Sequence, residues 1–322
     1  MSEPSHDVLV VGELNVDLIL NQIQGFPEVG KEILADEVTM TLGSSSAIFA
    51  SNLSALGTSV SFFGMIGEDS FADTVIGSLQ ERKVDTNPII QDPHLNTGIT
   101  VALNYGNDRA MITHQGAMSK LSMEAFDPDL LTRVQHLHFS SYFLQPGLAK
   151  NLDVLMKQAR KNGVTTSLDI QWDPGEQWDF DAEIILPHVD LFLPNETELK
   201  QITGKTDLET ALQSISEFSN ITAVKLGEKG SAYMQNGEIQ YASPYPNEEV
   251  VDAIGAGDSF NAGFIHKYLS NADLAECARA GNLCGMLSTT APGGTDAFEN
   301  MERLKKIARS SYEVDLEQFL EI

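Results

Sequence analysis

The regular alternation of short apolar runs with helical segments constrains the fold of this chain most strongly. The apolar runs are typical of buried strands and occur at 7–12, 60–66, 137–140, 165–169, 191–193 and 223–226. Segments with helical spacing lie between several of them, at 71–82, 148–162 and 208–219. Strands that alternate with helices in this way predict an α/β fold with a doubly wound, mostly parallel sheet.

Three further segments show the two-residue alternation of half-buried strands, and they interrupt this rhythm. They lie at 13–20, 33–42 and 98–113. We expect strands here, with long polar loops as the alternative. A chain of 322 residues can form one large α/β domain with such an appendage, or two medium domains.

The composition limits the partners and the compartment. A formal net charge of −26 argues against a nucleic acid or an anionic membrane as partner, since those surfaces need clustered Lys and Arg. Cys277 and Cys284 lie seven residues apart in a predicted helix, roughly 10 Å, which is beyond disulfide reach. No leader-like N-terminus or membrane span is evident, so we expect a cytoplasmic protein.

A glycine-rich turn that leads into a helix is the main candidate for chemistry. Gly255, Ala256 and Gly257 carry little side chain, so consecutive backbone N–H groups can converge on an anion at the helix N-terminus. Asp258 lies in the first turn, where we expect its charged form to be stabilised. A fixed carboxylate beside an anion site indicates phosphoryl transfer. An ordinary turn with an Asp cap is the alternative.

Residues 252–263 spell Asp-Ala-Ile-Gly-Ala-Gly-Asp-Ser-Phe-Asn-Ala-Gly. This resembles the motif D-T-x-G-A-G-D-x-F-x-x-G of the ribokinase-like (PfkB) carbohydrate kinases, with Ala253 in place of the threonine. The resemblance implies an ATP-dependent phosphotransferase in which Asp258 deprotonates the acceptor hydroxyl. The amides of Gly255, Ala256 and Gly257 would form the anion hole.

The same resemblance implies the ribokinase-like fold. It predicts a single domain over 1–322 with a small β lid built from the segments at about 13–20, 33–42 and 98–113. In such an arrangement the lid can also join two copies of the chain in a homodimer.

Two segments match the acceptor side of the family. Asn15 and Asp17 correspond to its N-x-D pair, which binds sugar hydroxyls, although the alternation alone predicts only a solvated strand face. The pattern G-G-x-x-x-N aligns its glycines with Gly43 and Ser44, so we expect these two residues and Ser45 to bind substrate.

The same alignment places Ile48 where the family has an asparagine that contacts the sugar. This departure indicates an altered or more apolar acceptor.

Two other segments match the nucleotide side of the family. Asn195 and Glu198 fit its N-x-x-E motif, which holds Mg²⁺ through water near the ATP phosphates, and they also fit a simple capping box. The further residues expected to bind ATP are Lys225, Gly227, Gly230 and Asn282, the last along the adenine. A simple hairpin turn is the alternative for 225–230.

The resemblance also implies a monovalent-cation site, for K⁺, that shapes the anion hole. Its members would be Asp252, the carbonyl of Ile254, and carbonyls near Ser288 and Gly293.

The function predicted from these matches is ATP-dependent phosphorylation of a primary hydroxyl of a small sugar. A nucleoside such as adenosine is the alternative acceptor, accommodated by Ile48, Phe49 and Phe143. A non-catalytic sugar or nucleotide sensor is the alternative of another class, and the intact Asp258 argues against it.

Overall fold

The computed structural model describes residues 5–105 and 108–322. Residues 1–4 of the predicted domain and residues 106–107 of the predicted lid lie outside the described residues. The described chain is built on a central eight-stranded sheet with helices on both faces, as the alternating pattern predicts. Its strands in spatial order are β14 (Glu238–Ala242), β13 (Ser231–Gln235), β12 (Ile221–Lys225), β11 (Leu191–Phe192), β10 (Thr165–Asp169), β9 (His136–Ser140), β1 (Val8–Val11) and β4 (Val60–Phe63).

In this spatial order, the six neighbouring strands β12, β11, β10, β9, β1 and β4 pair in parallel. β13 and β14 add an antiparallel edge. In β1, Val8 and Val10 pack into one hydrophobic cluster, and Leu9 and Val11 pack into the cluster on the other face. Both faces are buried, which explains why this strand is a continuous apolar run rather than an alternating one. Burying one such side chain contributes about 1.5–3 kcal/mol.

The three alternating segments form a second sheet of four strands. Its spatial order is β3 (Ala35–Leu42), β2 (Asn15–Ile23), β7 (Gly98–Tyr105) and β8 (Asp108–His114). A short pair, β5 (Met65–Gly67) and β6 (Ile90–Asp92), completes the strands of the described chain. The predicted strand at 60–66 is therefore two strands, separated at Gly64, where a Cβ would lie 2.9 Å from the Gly12 carbonyl oxygen.

The α-helices of the described chain lie mainly between consecutive strands and at the C-terminal end. They are α1 (Ser45–Ala55), α2 (Ser70–Glu81), α3 (Pro146–Ala149), α4 (Leu152–Lys161), α5 (Ala182–Ile185), α6 (Glu196–Thr203), α7 (Leu208–Ile215), α8 (Ala256–Leu269), α9 (Leu274–Ser288), α10 (Met301–Tyr312) and α11 (Leu316–Leu320). Short 3₁₀ helices occur at Gly116–Lys120, Met123–Ala125, Pro128–Thr132, Tyr142–Leu144, Leu186–His188, Gly227–Lys229 and Asp296–Glu299.

Two other sequence expectations can be compared with this architecture. Cys277 and Cys284 are buried in α9 and unpaired, as predicted. Within residues 5–105 and 108–322, no helix has both the length and the apolar character that crossing a membrane requires.

The parallel strands all end at one edge of the central sheet, and polar residues collect there. Glu13 follows β1, Ser140 ends β9, Asp169 ends β10 and Lys225 ends β12. Ligands of doubly wound sheets bind at this edge. The chain also enters the second sheet here, because β2 begins four residues after β1 ends.

Candidate active site

The N-terminus of α8 has no side-chain cap. Its cap residue is Gly255, in the left-handed region with φ 74°, and no side chain accepts a hydrogen bond there. A Cβ at Gly255 would lie 2.6 Å from the Gly294 Cα, so the turn has no room for a larger residue. First-turn N–H groups lack intrahelical acceptors. That of Ala256 instead bonds the Ala253 carbonyl, which precedes the helix, at 3.3 Å. The turn therefore has the geometry of an anion site.

Asp258 lies in this first turn and is almost completely buried. Its Oδ1 accepts a hydrogen bond from Gln171 Nε2 at 3.1 Å. Burial raises the pKa of Asp258 well above its usual range, and the charge of Asp169 raises it further. The expectation that the helix start keeps this group readily ionised is wrong, because desolvation is the larger effect.

Asp169 is the centre of the polar network behind Asp258. It is fully buried, and its Oδ2 accepts hydrogen bonds from Lys225 Nζ at 2.6 Å, Gln171 Nε2 at 2.9 Å and Asn261 Nδ2. Gln171 thus donates to both carboxylates and holds them at a fixed separation. Sequence reasoning missed Asp169 and Gln171, although a carboxylate at the end of a predicted buried strand was an available signal.

Lys225 is the one predicted ATP-binding residue that the described structure brings to the catalytic carboxylates. Burial lowers the pKa of its ammonium, but the charges of Asp169 and Glu198 outweigh this effect and the pKa is raised. A Cβ on Gly257 would lie 3.8 Å from Lys225 Nζ, so a permanent positive charge lies beside the anion site.

Asn195 and Glu198 form a complete capping box at the start of α6. The Asn195 N–H donates to Glu198 Oε2 at 2.8 Å, and the Glu198 N–H donates to Asn195 Oδ1 at 2.9 Å. Burial raises the pKa of Glu198 to about 7, and the nearby charge of Asp169 contributes. The helix start therefore accounts for this pair by itself, and its contact with magnesium stays a prediction.

The charge balance of this edge fits a divalent cation. Asp169 raises the pKa of both Glu198 and Asp258, and the Lys225 ammonium acts on both carboxyl groups in the opposite direction. Among the described residues, however, no group of three His, Cys, Asp or Glu side chains could ligate a metal directly. A Mg²⁺ ion at this edge would therefore be held largely through water and phosphate oxygens, and a role for Glu198 beside it stays a prediction.

Asn15 and Asp17 lie together at the start of β2. Asn15 Nδ2 donates to Asp17 Oδ1 at 2.9 Å and to Thr100 Oγ1 of β7 at 3.2 Å. A Cβ on Gly43 would overlap Asp17 Oδ1, so a glycine is needed there. Burial raises the pKa of Asp17 to about 6. The pair is a largely buried polar cluster rather than the solvated strand face that the pattern alone favoured.

The serines that precede α1 have different partners. Ser44 caps the helix by accepting from the Ala47 N–H at 3.0 Å, and its own hydroxyl donates to the Glu13 carbonyl at 2.6 Å. The Ser45 side chain lowers the pKa of Asp258 against the larger effect of burial. Ser44 is thus committed to the protein itself, and substrate binding by Ser44 or Ser45 stays a prediction.

Ile48 and Phe49 do not line an open acceptor pocket. Ile48 is buried, and a Cβ on Gly255 would lie 3.0 Å from its Cγ2, so it packs beneath the anion turn. Phe49 is buried against His138, with ring centroids 3.9 Å apart. The interpretation of these two residues as walls for a nucleoside is wrong, because both fill the core under the site. Phe143 is partly buried against Trp178.

Of the remaining nucleotide-side residues, Gly230 and Asn282 lie against the end of β14. A Cβ on Gly227 would meet open space, whereas one on Gly230 would overlap the Ala242 carbonyl oxygen. Asn282 Nδ2 donates to the carbonyls of Ala242 and Ser243 at 3.2 and 3.0 Å. These contacts shape the local backbone, and the roles of Gly227, Gly230 and Asn282 toward ATP stay predictions.

Asp252 joins the two segments predicted to hold a monovalent cation. Its Oδ1 accepts from the Ile254 N–H and its Oδ2 from the Gly293 N–H, both at 2.9 Å. The side chain of Ser288 donates to the Gly285 carbonyl at 2.8 Å. The segments are adjacent, and K⁺ binding between them stays a prediction.

Comparison with known proteins identifies the family to which this fold and site belong. A model described as pfkB family carbohydrate kinase matches residues 5–301. The chain is 29% identical to an uncharacterized sugar kinase of Archaeoglobus fulgidus over 236 residues. This match covers 71% of this chain and 91% of that protein.

Two solved structures show the same fold. An adenosine kinase from Sinorhizobium meliloti is similar with a TM-score of 0.80 at 22% identity, covering 93% of this chain and 99% of that one. A putative ribokinase II from E. coli, solved with ATP and Mg²⁺, is similar with a TM-score of 0.79 at 24% identity, covering 94% and 99%.

The chain belongs to the pfkB family of carbohydrate kinases. It is a phosphotransferase with an alcohol group as acceptor, and its acceptor class is a sugar or a nucleoside. Kinases of this family use ATP with Mg²⁺.

Proposed function

We propose that the protein transfers the terminal phosphoryl group of ATP to a primary hydroxyl of a small sugar, with Asp258 as the general base. The observation that carries this proposal is the burial of Asp258 in the first turn of α8, directly after an uncapped glycine turn and beside Lys225. A base and an anion site are thus parts of one helix start. Asn15 and Asp17, which suit hydroxyl groups, lie at the entry to the second sheet.

Different residues of the chain have different roles in this transfer. Ionised Asp258 accepts the proton of the acceptor hydroxyl, while Gln171 holds its carboxylate in place. The first-turn N–H groups of α8 and the Lys225 ammonium offset the negative charge that develops on the transferred group. Magnesium-bound ATP, when present, supplies the phosphoryl group and further positive charge. Since the transition state of such transfers is loose, positioning provides most of the acceleration.

The test is an acceptor screen. ATP consumption is measured with ribose, fructose, 2-keto-3-deoxygluconate, tagatose and adenosine, with the Asp258→Asn variant as the blank. Turnover with a sugar, absent in the blank, is the expected result. Binding of ligands without turnover, under every condition, would indicate the sensor instead.

A nucleoside is the second candidate acceptor, and one observation favours it. Trp172 follows Gln171 directly and is 48% exposed, so an indole is available near the catalytic carboxylate. Its ring packs edge-to-face on Trp178 at 5.0 Å, which leaves aromatic surface on which a base can stack. Adenosine outcompeting every sugar in kcat/KM would select this alternative, and Trp172→Ala would then raise the KM for adenosine.

We also propose that the second sheet joins two copies of the chain. Its strands expose large apolar side chains with exposures from 48% to 68%, and the register places Val38 and Met40 of β3 on the same face as Ile112 of β8. Exposed apolar side chains that share a face favour a contact surface. Sedimentation should show a dimer that Val38→Glu converts to a monomer. A wild-type monomer at high concentration would contradict this proposal.

We also propose a cytoplasmic location. The buried, unpaired Cys277 and Cys284 support a reducing compartment, which cell fractionation tests.

We further propose activation by K⁺. The adjacency of Asp252, Ile254 and Gly293 supports it. Replacing K⁺ by tetramethylammonium in the assay should then lower kcat, and an unchanged kcat would exclude a required cation.

A further inference from the structure

Asn52 is a fully buried amide on α1 that the mechanism above does not use. Its Nδ2 donates to the Ser259 Oγ and to the Gly294 carbonyl, both at 2.9 Å. These acceptors lie in different parts of the chain, at the beginning of α8 and in the loop that follows α9. One amide group therefore joins three elements of the fold.

The orientation of this amide follows from its partners. The Gly294 carbonyl oxygen can only accept a hydrogen bond, so the nitrogen of Asn52 must face it. The amide oxygen, Oδ1, is buried and has no hydrogen-bond partner among the described residues. A buried acceptor without a partner costs free energy, so an asparagine is unfavourable at this position unless its N–H groups are needed.

The hydrogen bond from Asn52 to Ser259 continues into the glycine turn before α8. The Ser259 hydroxyl donates to the Gly255 carbonyl at 2.7 Å, and the Ser259 N–H donates to the same oxygen at 2.8 Å. Two donors thus fix the direction of this carbonyl. Because the peptide bond is trans and planar, the Ala256 N–H of the same peptide points the opposite way, toward the N-terminal side of the helix.

The second acceptor of Asn52 lies on the other side of the same turn. A Cβ on Gly255 would lie 2.6 Å from the Gly294 Cα, and one on Gly294 would lie 2.5 Å from the Ile48 Cδ1. Ile48 precedes Asn52 by one helical turn and lies on the same face of α1. α1 therefore supports both backbone segments that meet at the turn, through an apolar contact and a polar one.

We propose that Asn52 is a positioning residue for the anion site, acting through its hydrogen bonds to Ser259 and Gly294. These two groups fix the glycine turn, so its N–H groups keep their direction toward the transferred phosphoryl group. Donors that are oriented before the reaction need no reorganisation when negative charge develops. This inference rests on the proposed function of the turn in phosphoryl transfer.

The test is a double-mutant cycle with Asn52→Ala and Ser259→Ala, measured as kcat with the acceptor that the wild type phosphorylates fastest. Each single variant should lower kcat roughly tenfold, less than the ~10²- to 10³-fold loss of a whole oxyanion donor, because the N–H groups are misaligned rather than removed. The double variant should lose much less than the product of the two losses, since both changes remove the same hydrogen bond. Losses that multiply, or full activity in either single variant, would overturn the inference.

The affinity for a transition-state mimic supplies a readout that a purely structural role would not move. In Asn52→Ala, the Kd of ADP with Mg²⁺ and aluminium fluoride should rise by the factor by which kcat falls, while the Kd of ADP with Mg²⁺ alone stays within about twofold. Calorimetry measures both. Equal weakening of the two complexes would mean that Asn52 only maintains the nucleotide site, and would overturn the inference.

The control is Asn220→Ala, which makes the same chemical change at the opposite edge of the central sheet, before β12. Asn220 Nδ2 donates to the Val189 carbonyl at 2.7 Å, so this variant also loses a hydrogen bond to a backbone carbonyl. Its kcat should not change, and a loss equal to that of Asn52→Ala would overturn the inference.

Two further outcomes are distinguishable. If Asn52→Ala does not fold, Ser259→Ala alone decides, because it breaks the same connection from the other side. A wild type without turnover on any acceptor would reject the proposed function itself, whereas an active wild type with a fully active Ser259→Ala variant would reject only the role of Asn52.

Discussion

Helices α8 and α9 are the two longest helices of the described chain, and they begin in opposite ways. α9 follows Asp273, whose side chain accepts from the Glu276 N–H at 2.8 Å and so satisfies a donor of the first turn. α8 follows Gly255, which has no side chain to offer. A capped helix start is stable by itself, whereas an uncapped one leaves N–H groups for a ligand.

Other helices of the chain show that α8 is a departure from its general pattern. Acidic or amide side chains cap α2, α5, α6 and α7, namely those of Asp69, Asp181, Asn195 and Asp207. The helix that carries the proposed base is the one whose start is a glycine turn. α3 and α4 also begin without a side-chain cap, so a missing cap alone is no functional signal; what distinguishes α8 among the described helices is a glycine at the cap position.

Of the substitutions that test this difference between α8 and α9, Asp258→Asn should lower the rate of phosphoryl transfer most. It removes the base while keeping the size of the side chain, so phosphoryl transfer should fall about 10²- to 10⁴-fold. ATP binding, measured by calorimetry, should be nearly unchanged because the first-turn N–H groups remain. Turnover close to that of the wild type would remove Asp258 from the mechanism.

Ala256→Asp should have the next largest effect, because it adds a carboxylate within the first turn of α8. The new charge would compete with the phosphate for the N–H groups, and kcat/KM for ATP should fall by about 10²-fold, comparable to losing one oxyanion-hole donor. The matched control is Ala275→Asp, at an exposed position in the first turn of α9. Equal losses in both variants would mean that added negative charge alone, and not its place, is responsible.

Asp273→Ala should have the smallest effect, and on a different quantity. Loss of this cap should lower the free energy of unfolding by about 1 kcal/mol. The kinetic constants should not change, since α9 begins away from the catalytic carboxylates. Denaturant titration measures the first quantity and the ATPase-coupled assay the second; a variant that loses activity without losing stability would reverse the contrast between the two helices.

Local patterns explain how much of the fold was predictable. The apolar run of β1 reflects a strand that is buried on both faces, and this burial determines its residue types. β3 is exposed along most of its length, so its alternation predicted the strand correctly but not a buried face. The glycine turn before α8 was predictable because close backbone packing on Gly294 excludes a side chain at Gly255. The capping box at Asn195 was equally local.

The rest of the site depends on contacts between distant parts of the chain. The Asp169 to Lys225 pair, at 2.6 Å, joins two strand ends, and the Gln171 to Asp258 contact, at 3.1 Å, joins a strand end to α8. No spacing in the sequence encodes either contact. The raised pKa of Asp258 follows from this burial and crowding rather than from its place in α8. Ile48 was misassigned for the same reason, since only the packing shows that it lies beneath the turn.

The proposed mechanism requires the uncapped start of α8 to hold the transferred phosphoryl group beside Asp258. A crystal structure with ADP, Mg²⁺ and aluminium fluoride, which imitates that group in transfer, shows whether it does. We expect fluoride density within hydrogen-bond distance of the N–H groups of the first turn of α8, next to the Asp258 carboxylate. Density for the fluoride on any other helix start, with the turn at Gly255–Gly257 empty, would contradict it.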